Sequence, residues 1–199
     1  MNWADWTDST ATGAVGTFNT SGGPVSITYT GEVYFLQTGT GTDFFNPTAP
    51  YASALADNAP TPAEMGGQSS ATTRSRSFSA PVDNLIFAVV SLNGSGYKFD
   101  QDFEIVSQGC GYWGRGTLGR VDLGNGQFEL DGVSGEPHGV IRFNQPVSSI
   151  TWTTLSTEYW HGFTVGTYGK APPTAVPEPG TYALMAIGLI GALASRRRS

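Results

Sequence analysis

The residues before position 181 alternate between apolar and polar side chains over short stretches, and this pattern limits the fold more than any other feature. In the segment PVSITYT, residues 24–30, every second side chain after the proline is apolar, as in a strand with one buried face. Residues 85–92 are almost continuously apolar, which predicts a central strand buried on both faces. No amphipathic helical pattern of a dozen residues occurs before position 181. The chain therefore predicts an all-β domain.

Residues that favour turns separate the predicted strands. The sequences Asn93-Gly94-Ser95-Gly96 and Gly124-Asn125-Gly126 accept positive φ and predict turns. The predicted strands cover residues 24–30, 33–36, 73–79, 85–92, 97–99, 103–106, 118–123, 127–130, 139–143, 150–155 and 163–168. About nine to eleven short strands with glycine-rich turns favour a single β-sandwich of jelly-roll type over residues 1–170. Segment 2–20 fits either strand or loop, and Gly31 fits either a hairpin or a bulge.

Residues 39–67 form the least regular part of the predicted domain. They contain four prolines and little periodicity, and a short helix near residues 51–56 is one option for them. An irregular connection of this length is usually functional, or it packs against the domain as an excursion.

Two segments share a residue pattern that predicts related corners. FSAPVDNLIF at 78–87 and FNQPVSSITW at 143–152 both match F-x-x-P-V-x-x-[L/I]-x-[F/W]. Each predicts a strand, a break at the proline and a second strand, because proline cannot donate a hydrogen bond to a strand ladder. We expect the two copies to occupy equivalent corners of the sandwich. Chance similarity within a β-rich chain is the alternative.

The C-terminal tail, residues 171–199, differs from everything before it. A Pro-rich linker at 171–180 carries Pro177-Glu178-Pro179, and residues 181–199 hold an apolar run at 182–194 followed by Arg196, Arg197 and Arg198. As a helix this run spans roughly 20 Å, short of the ~30 Å hydrocarbon core, so crossing a membrane needs local thinning and snorkelling arginines. The arginines favour a cytoplasmic C-terminus with the domain outside. A helix packed on the domain is the alternative, although the run is apolar all round.

This tail resembles the PEP-CTERM sorting signal of Gram-negative bacteria. The resemblance rests on the motif Pro177, Glu178 and Pro179, a short membrane helix and an arginine-rich end, in this order and at the terminus. It implies recognition and cleavage near the motif by a membrane-embedded exosortase, in organisms that build exopolysaccharide. It is confined to the last 23 residues, so it says nothing of the domain's ligand.

Charge separates the domain from its tail. The whole chain carries a net charge of −6, whereas residues 1–176, with 7 Lys or Arg against 15 Asp or Glu, carry −8. The basic residues of the tail therefore offset an acidic domain. An acidic domain disfavours a nucleic-acid partner.

The start of the sequence bears on export. The start, MNWADWTDST, lacks the basic residues and the apolar core of a signal peptide, so we expect an export signal to be missing from this sequence.

The single cysteine, Cys110, excludes a disulfide within the chain. We expect it to be buried as a small hydrophobic residue, with pairing between chains as the alternative.

Two aromatic pairs near glycines are the candidate glycan-binding residues. They are Tyr112 with Trp113, and Tyr159 with Trp160. Flat rings bind the faces of sugars while nearby polar groups fix the hydroxyls, and Arg115, Asn125 and Glu158 are candidates for that role. The interpretation that the sequence favours over glycan binding is that these rings fill the core, as large aromatic side chains usually do.

Two other patterns bear on cofactors and metals. Residues 109–114 match G-x-G-x-x-G, but no helix pattern follows to hold a pyrophosphate, so we expect no nucleotide cofactor and no other cofactor. Asp100, Asp102 and Glu104 alternate, and on one strand they would share a face suited to calcium. Three ligands on one strand are too few, so a solvated strand face is preferred and no metal site is expected.

Catalytic signatures are sparse. His138 and His161 each follow a glutamate but lack the spacing of a His-Glu zinc motif, and no G-x-S-x-G elbow occurs. Glu136 and Glu158 would act as a glycosidase pair only if their carboxyl groups lay about 5–10 Å apart. We therefore expect no enzymatic activity.

The sequence thus predicts an exported cell-surface or extracellular-matrix protein, sorted through its tail. Its domain would be a non-catalytic binding or structural module linked to exopolysaccharide, with a glycan-degrading enzyme on a jelly-roll scaffold as the alternative. The expected partners are the membrane, an exosortase-type enzyme and polysaccharide, without nucleic acid. The tail would hold the chain transiently in the inner membrane before it reaches the surface or the medium.

Overall fold

A computed structural model describes residues 1–20, 22–70 and 72–167. Two antiparallel β-sheets pack face to face around a shared core, which confirms the predicted all-β sandwich. The strands are β1 (Asn2–Trp3), β2 (Asp5–Thr10), β3 (Gly13–Thr20), β4 (Gly23–Thr30), β5 (Phe35–Leu36), β6 (Gly66–Gln68), β7 (Thr73–Val82), β8 (Leu85–Val90), β9 (Gly96–Phe99), β10 (Phe103–Gly109), β11 (Gly116–Gly124), β12 (Gln127–Gly135), β13 (His138–Phe143), β14 (Val147–Thr154) and β15 (His161–Thr167).

The two sheets differ in composition. The seven-stranded sheet has the order β10-β13-β8-β15-β6-β5, with β1 also paired to β15. The eight-stranded sheet has the order β11-β12-β9-β14-β7-β4-β3-β2. The last eight strands pair in a nested way, because β8 pairs with β15, β9 with β14, β10 with β13 and β11 with β12. Successive pairs of this set alternate between the two sheets.

Strand positions agree with the alternating pattern in the sequence. Along β4, the side chains of Val25, Ile27 and Tyr29 are buried and those between them are exposed. All six residues of β8 are buried, as predicted for a central strand. The predicted turns after positions 93 and 124 are present, with Gly94 and Asn125 at positive φ.

The irregular segment between β5 and β6 explains why β8 is buried on both faces. Ile86, Ala88 and Val90 point away from the main core and pack against residues of this segment, including Phe45 and Tyr51. The segment is therefore an excursion that covers the outer face of the seven-stranded sheet. The short helix considered for residues 51–56 is absent there; a 3₁₀ turn forms at Ala49–Tyr51 instead, and a second lies at Pro62–Glu64.

The sequence left two conformations possible for the N-terminal segment and two for Gly31, and the structure decides both. Residues 2–20 form three strands, with Trp3 and Trp6 both buried. Gly31 adopts a φ of 146° where the chain leaves β4 in one sheet and reaches β5 in the other. It is therefore a crossing between sheets, and neither a hairpin nor a bulge.

The repeated residue pattern marks two corners between the sheets. The first copy passes from β7 to β8 and the second from β13 to β14, so they cross in opposite directions. Val82 and Val147, which follow the two prolines, are paired partners in the eight-stranded sheet. The break predicted at Pro81 is wrong, because β7 continues through it and the chain turns only at residues 83–84.

An arginine lies inside the main core, within a ring of aromatic side chains that we call the interior cage. The Cζ atom of Arg76 is 4.2–5.9 Å from the ring centroids of Trp6, Tyr29, Phe87, Trp152 and Phe163. Among the described residues, no group accepts a hydrogen bond from its guanidinium. Burial lowers the pKa of Arg76 to about 9, so it stays charged at neutral pH.

The predicted linker at 171–180 and the predicted membrane helix and arginine-rich end at 181–199 lie outside the described residues. Within the described ranges, the structure contains no helix of the length and apolar character that a membrane crossing requires.

Candidate functional site

Aromatic side chains gather on the surface at one end of the seven-stranded sheet, where several loops meet. Successive rings of this group lie 4.9–6.5 Å apart, so it is continuous. We call it the surface aromatic cluster, and its members are Tyr34, Phe35, Phe44, Tyr112, Trp113, Tyr159 and Trp160. Both aromatic pairs predicted from the sequence belong to it.

The first pair is displayed by the loop between β10 and β11. Gly111 and Gly114 exchange backbone hydrogen bonds of 2.8 and 3.2 Å, which close a tight turn with Tyr112 and Trp113 at its tip. Gly111 lies directly on the ring of His138, where a β-carbon would come within 2.2 Å of the imidazole. Because strand β11 follows this loop, the helix that a nucleotide-binding G-x-G-x-x-G requires is replaced by a strand.

The second pair lies in the loop between β14 and β15. The backbone N–H of Glu158 donates to the carbonyl of Ser69 at 3.1 Å, which ties this loop to residues that follow β6. The Glu158 carboxylate also lies 2.9 Å from Nδ1 of His161, a buried residue of β15. These contacts hold Tyr159 and Trp160 at the surface.

Exposure decides between the two interpretations of these rings. Tyr112, Trp113 and Tyr159 are 43%, 51% and 82% exposed, whereas Trp160 is partly buried. The core interpretation, which the sequence favoured, is therefore wrong for Tyr112, Trp113 and Tyr159. The structure brings the two loops together, with 6.3 Å between the ring centroids of Trp113 and Trp160.

Phe44 joins the two loops and was missed by the sequence analysis. Its ring lies 5.1 Å from Tyr112, 6.5 Å from Trp113 and 4.9 Å from Trp160. It comes from the irregular excursion, whose sequence lacks the periodicity that identifies strand faces. The only signal for Phe44 in the sequence is the length of the irregular connection that contains it, because such connections are often functional.

A cleft of about 250 Å³ opens beside Trp113 and Trp160. Its lining residues are Ser91, Asn93, Trp113, Glu136, Glu158, Tyr159 and Trp160. We call it the aromatic cleft. The Ser91 hydroxyl and the Asn93 side-chain amide, at 2.6 Å, both donate to the Glu136 carboxylate and orient it. Aromatic walls with a few fixed polar groups are the usual chemistry of a ligand site.

Two of the polar candidates lie elsewhere. Arg115 lines a second cleft of about 620 Å³, together with Cys110, Gln108 and Ser134. Asn125 lies in the turn between β11 and β12. Of the three predicted polar partners, only Glu158 lines the aromatic cleft.

Cys110 corrects a prediction. It is exposed, not buried as expected, because it follows the end of β10 at the base of the Tyr112 loop. A position at the rim of a cleft leaves its thiol outside the apolar core.

The three calcium candidates do not share a strand face. Asp100 and Asp102 lie between β9 and β10, and only Glu104 is within a strand. Asp102 pairs with Arg120 and accepts from Asn144, while Glu104 pairs with Arg142 at 2.6 Å. Across residues 1–20, 22–70 and 72–167, no cluster of three or more His, Cys, Asp or Glu could hold a metal ion.

The two histidines are buried at different places. His138, on β13, has its Nδ1 2.7 Å from the hydroxyl of Tyr51 in the excursion. Burial lowers the pKa of His138 to about 4, and burial also raises the pKa of Tyr51 well above its ordinary value. The imidazole is therefore neutral at pH 7, and the ring that packs against Gly111 is uncharged.

Comparison with known proteins identifies the tail alone. The family model described as the PEP-CTERM protein-sorting motif matches residues 175–198 and includes Pro177, Glu178 and Pro179. This confirms the resemblance seen in the sequence, and such a signal indicates a protein that exosortase-type machinery sorts to the cell surface. No curated protein and no solved structure matches the chain.

Proposed function

We propose that this chain is an exported cell-surface or extracellular-matrix protein whose jelly-roll-like sandwich binds a glycan, without cleaving it, through the aromatic cleft. One observation carries the proposal. Two loops whose tryptophans are 47 positions apart in the sequence bring Trp113 and Trp160 together beside oriented polar groups. Exposed rings next to carboxylate, amide and hydroxyl groups provide the apolar and hydrogen-bonding contacts that sugars require.

The test compares two variants of the full chain on a glycan array. Trp113→Ala removes an exposed ring from the cleft, and we expect it to weaken binding by about tenfold or more, since one aromatic contact contributes on the order of 1.5 kcal/mol. Val133→Ala is the matched control, because Val133 is 64% exposed on β12 and lies outside the cleft. Equal glycan binding by both variants would contradict the proposal.

A glycan-degrading enzyme is the second candidate, and one observation favours it. Glu136 and Glu158 line the same cleft, as a general acid and base would. Against it, the Glu136 carboxylate is held by Ser91 and Asn93, an arrangement that suits a fixed hydrogen-bond acceptor. Release of reducing sugar by the full chain, abolished in Glu136→Gln or Glu158→Gln, would favour the enzyme.

The tail completes the proposal. We propose that residues 182–194 cross the inner membrane with Arg196, Arg197 and Arg198 in the cytoplasm, and that an exosortase cleaves near Pro177-Glu178-Pro179. The exported domain would then act in the exopolysaccharide matrix. Support comes from the match to the sorting motif at residues 175–198.

The test of cleavage expresses the chain behind an export signal in hosts with and without exosortase. The shortened product is expected only in the first host, and equal processing in both hosts would refute cleavage by exosortase.

A further inference from the structure

The aromatic cleft combines rings with negative charge, which narrows the kind of sugar it fits. This inference rests on the glycan-binding function proposed above. We propose that the cleft selects glycan units that carry an ammonium group, such as 2-amino-2-deoxyhexoses, over N-acetylated and uronic-acid units.

The rings provide the first argument. The faces of tryptophan and tyrosine rings attract cations, and most strongly when water is partly excluded. The interior cage shows this chemistry within the same protein, since rings of the same types surround the Arg76 guanidinium at 4.2–5.9 Å. In the aromatic cleft, Trp113, Tyr159 and Trp160 offer comparable surfaces to a ligand from outside.

The carboxylates provide the second argument. An ionised carboxylate has about four acceptor sites. In Glu136, Ser91 donates to Oε2 and Asn93 donates to Oε1, which leaves acceptor sites for a ligand. Glu158 is 12% exposed and lies on the same cleft. A sugar ammonium group has three N–H donors, so it fits two carboxylates better than a neutral amide does.

The distribution of basic residues provides the third argument. Within the described residues, the lysines and arginines are Arg74, Arg76, Lys98, Arg115, Arg120 and Arg142. None of them is among the residues that line the aromatic cleft. A uronic-acid unit placed there would meet two carboxylates with no lysine or arginine in the lining to compensate them, which is unfavourable.

The experiment measures binding of the full chain to four soluble oligosaccharides of equal length by calorimetry. They are built from glucosamine, N-acetylglucosamine, glucose and glucuronic acid units, at a mildly acidic pH that keeps the amine charged. We expect the glucosamine oligomer to bind about tenfold more tightly than the N-acetylated one, since its ammonium group forms charge-assisted hydrogen bonds with the carboxylates. We expect the glucuronic acid oligomer to bind most weakly.

Variants separate the cleft from general attraction to an acidic protein. In Glu136→Gln/Glu158→Gln the preference for glucosamine is expected to disappear while the glucose oligomer still binds. The control Asp5→Asn/Glu129→Gln removes the same charge from strands β2 and β12, outside the cleft, and is expected to keep the preference. Loss of the preference in the control as well would overturn the inference.

The outcomes also separate this inference from the proposed function. Failure of all four oligomers to bind would refute glycan binding itself. Glucose or N-acetylglucosamine oligomers binding as tightly as the glucosamine oligomer would overturn the ammonium preference and leave glycan binding intact. An oligolysine peptide is the last arm, and if it binds more tightly than the glucosamine oligomer, the ligand is a peptide ammonium group and the inference is wrong.

Discussion

The interior cage and the surface aromatic cluster are built from the same residue types, although one lies inside the sandwich and the other on its surface. The rings of the interior cage all come from strands, namely β2, β4, β8, β14 and β15, and they surround Arg76. The rings of the surface aromatic cluster come mostly from loops, and two of them, Trp113 and Trp160, lie beside the carboxylates of Glu136 and Glu158. Aromatic side chains of the same types are therefore buried in one cluster and exposed in the other. A strand buries alternate side chains, whereas a loop can expose consecutive ones.

The comparison predicts different losses of stability for two tryptophans, and the loss expected for the buried one is the largest effect that we predict. Trp152 is fully buried and packs against Tyr29, Phe87 and Phe163. Trp152→Ala is therefore expected to lower the free energy of unfolding by about 3–5 kcal/mol, the usual cost of truncating a large core ring. Urea denaturation of the full chain gives the measurement.

Trp113→Ala is the matched variant from the surface cluster. Since half of the Trp113 side chain is already exposed, its loss is expected to change the free energy of unfolding by less than about 1 kcal/mol. If both variants lost the same stability, the surface cluster would be part of the core, and its role as a display of rings would be refuted.

The two clusters also differ in how far the sequence predicts them. Alternation along residues 24–30 identifies Tyr29 as an inward residue, and the apolar run at 85–92 identifies Phe87 as part of a buried strand. These predictions succeed because the period of a strand is local. The position of Arg76 is harder to predict, since a charged residue at an inward position breaks the pattern and is stabilised only by rings from distant strands.

The surface cluster shows the limit of local reasoning. Tyr112, Trp113, Tyr159 and Trp160 can be selected as candidates because of their neighbours in the sequence, but their proximity depends on the strand order β10-β13-β8-β15 in the seven-stranded sheet. Phe44 could not be selected, because no periodicity marks the excursion that carries it. The prediction that Cys110 is buried is wrong for a related reason. It used the general preference of cysteine for burial, which takes no account of the position of Cys110 directly after a strand.

A second prediction concerns the backbone beneath the displayed rings. Gly111→Ala would place a β-carbon 2.2 Å from Cγ of His138, so the loop must move away from β13. We expect a loss of about 1–3 kcal/mol in the free energy of unfolding, typical of overpacking, together with weaker glycan binding because Trp113 is displaced. Gly39→Ala is the control, since no atom lies within 4 Å of its added β-carbon. Binding unchanged in Gly111→Ala would show that the loop does not position the ring.

A third prediction uses pH and tests whether His138 supports the loop as a neutral ring. Burial lowers its pKa to about 4 in the folded chain, whereas an exposed histidine in the unfolded chain has its ordinary value of about 6.5. The unfolded chain therefore takes up a proton first, and the stability from neutral His138 is fully present above about pH 6.5 and is lost as the pH falls towards 4. Between pH 7 and about pH 5 we expect the free energy of unfolding to fall by about 1–2 kcal/mol.

The variant His138→Gln isolates this effect from the carboxylates that titrate in the same direction. Glutamine does not titrate, so its free energy of unfolding should fall by less over the same pH range, even if the variant is less stable at pH 7. Tyr51→Phe keeps the histidine but removes the hydroxyl 2.7 Å from its Nδ1, and it should retain the dependence on pH because burial is the cause of the shift. An identical pH dependence in the wild-type chain and His138→Gln would show that His138 has the same pKa in the folded and unfolded chains, and that burial does not keep its ring neutral.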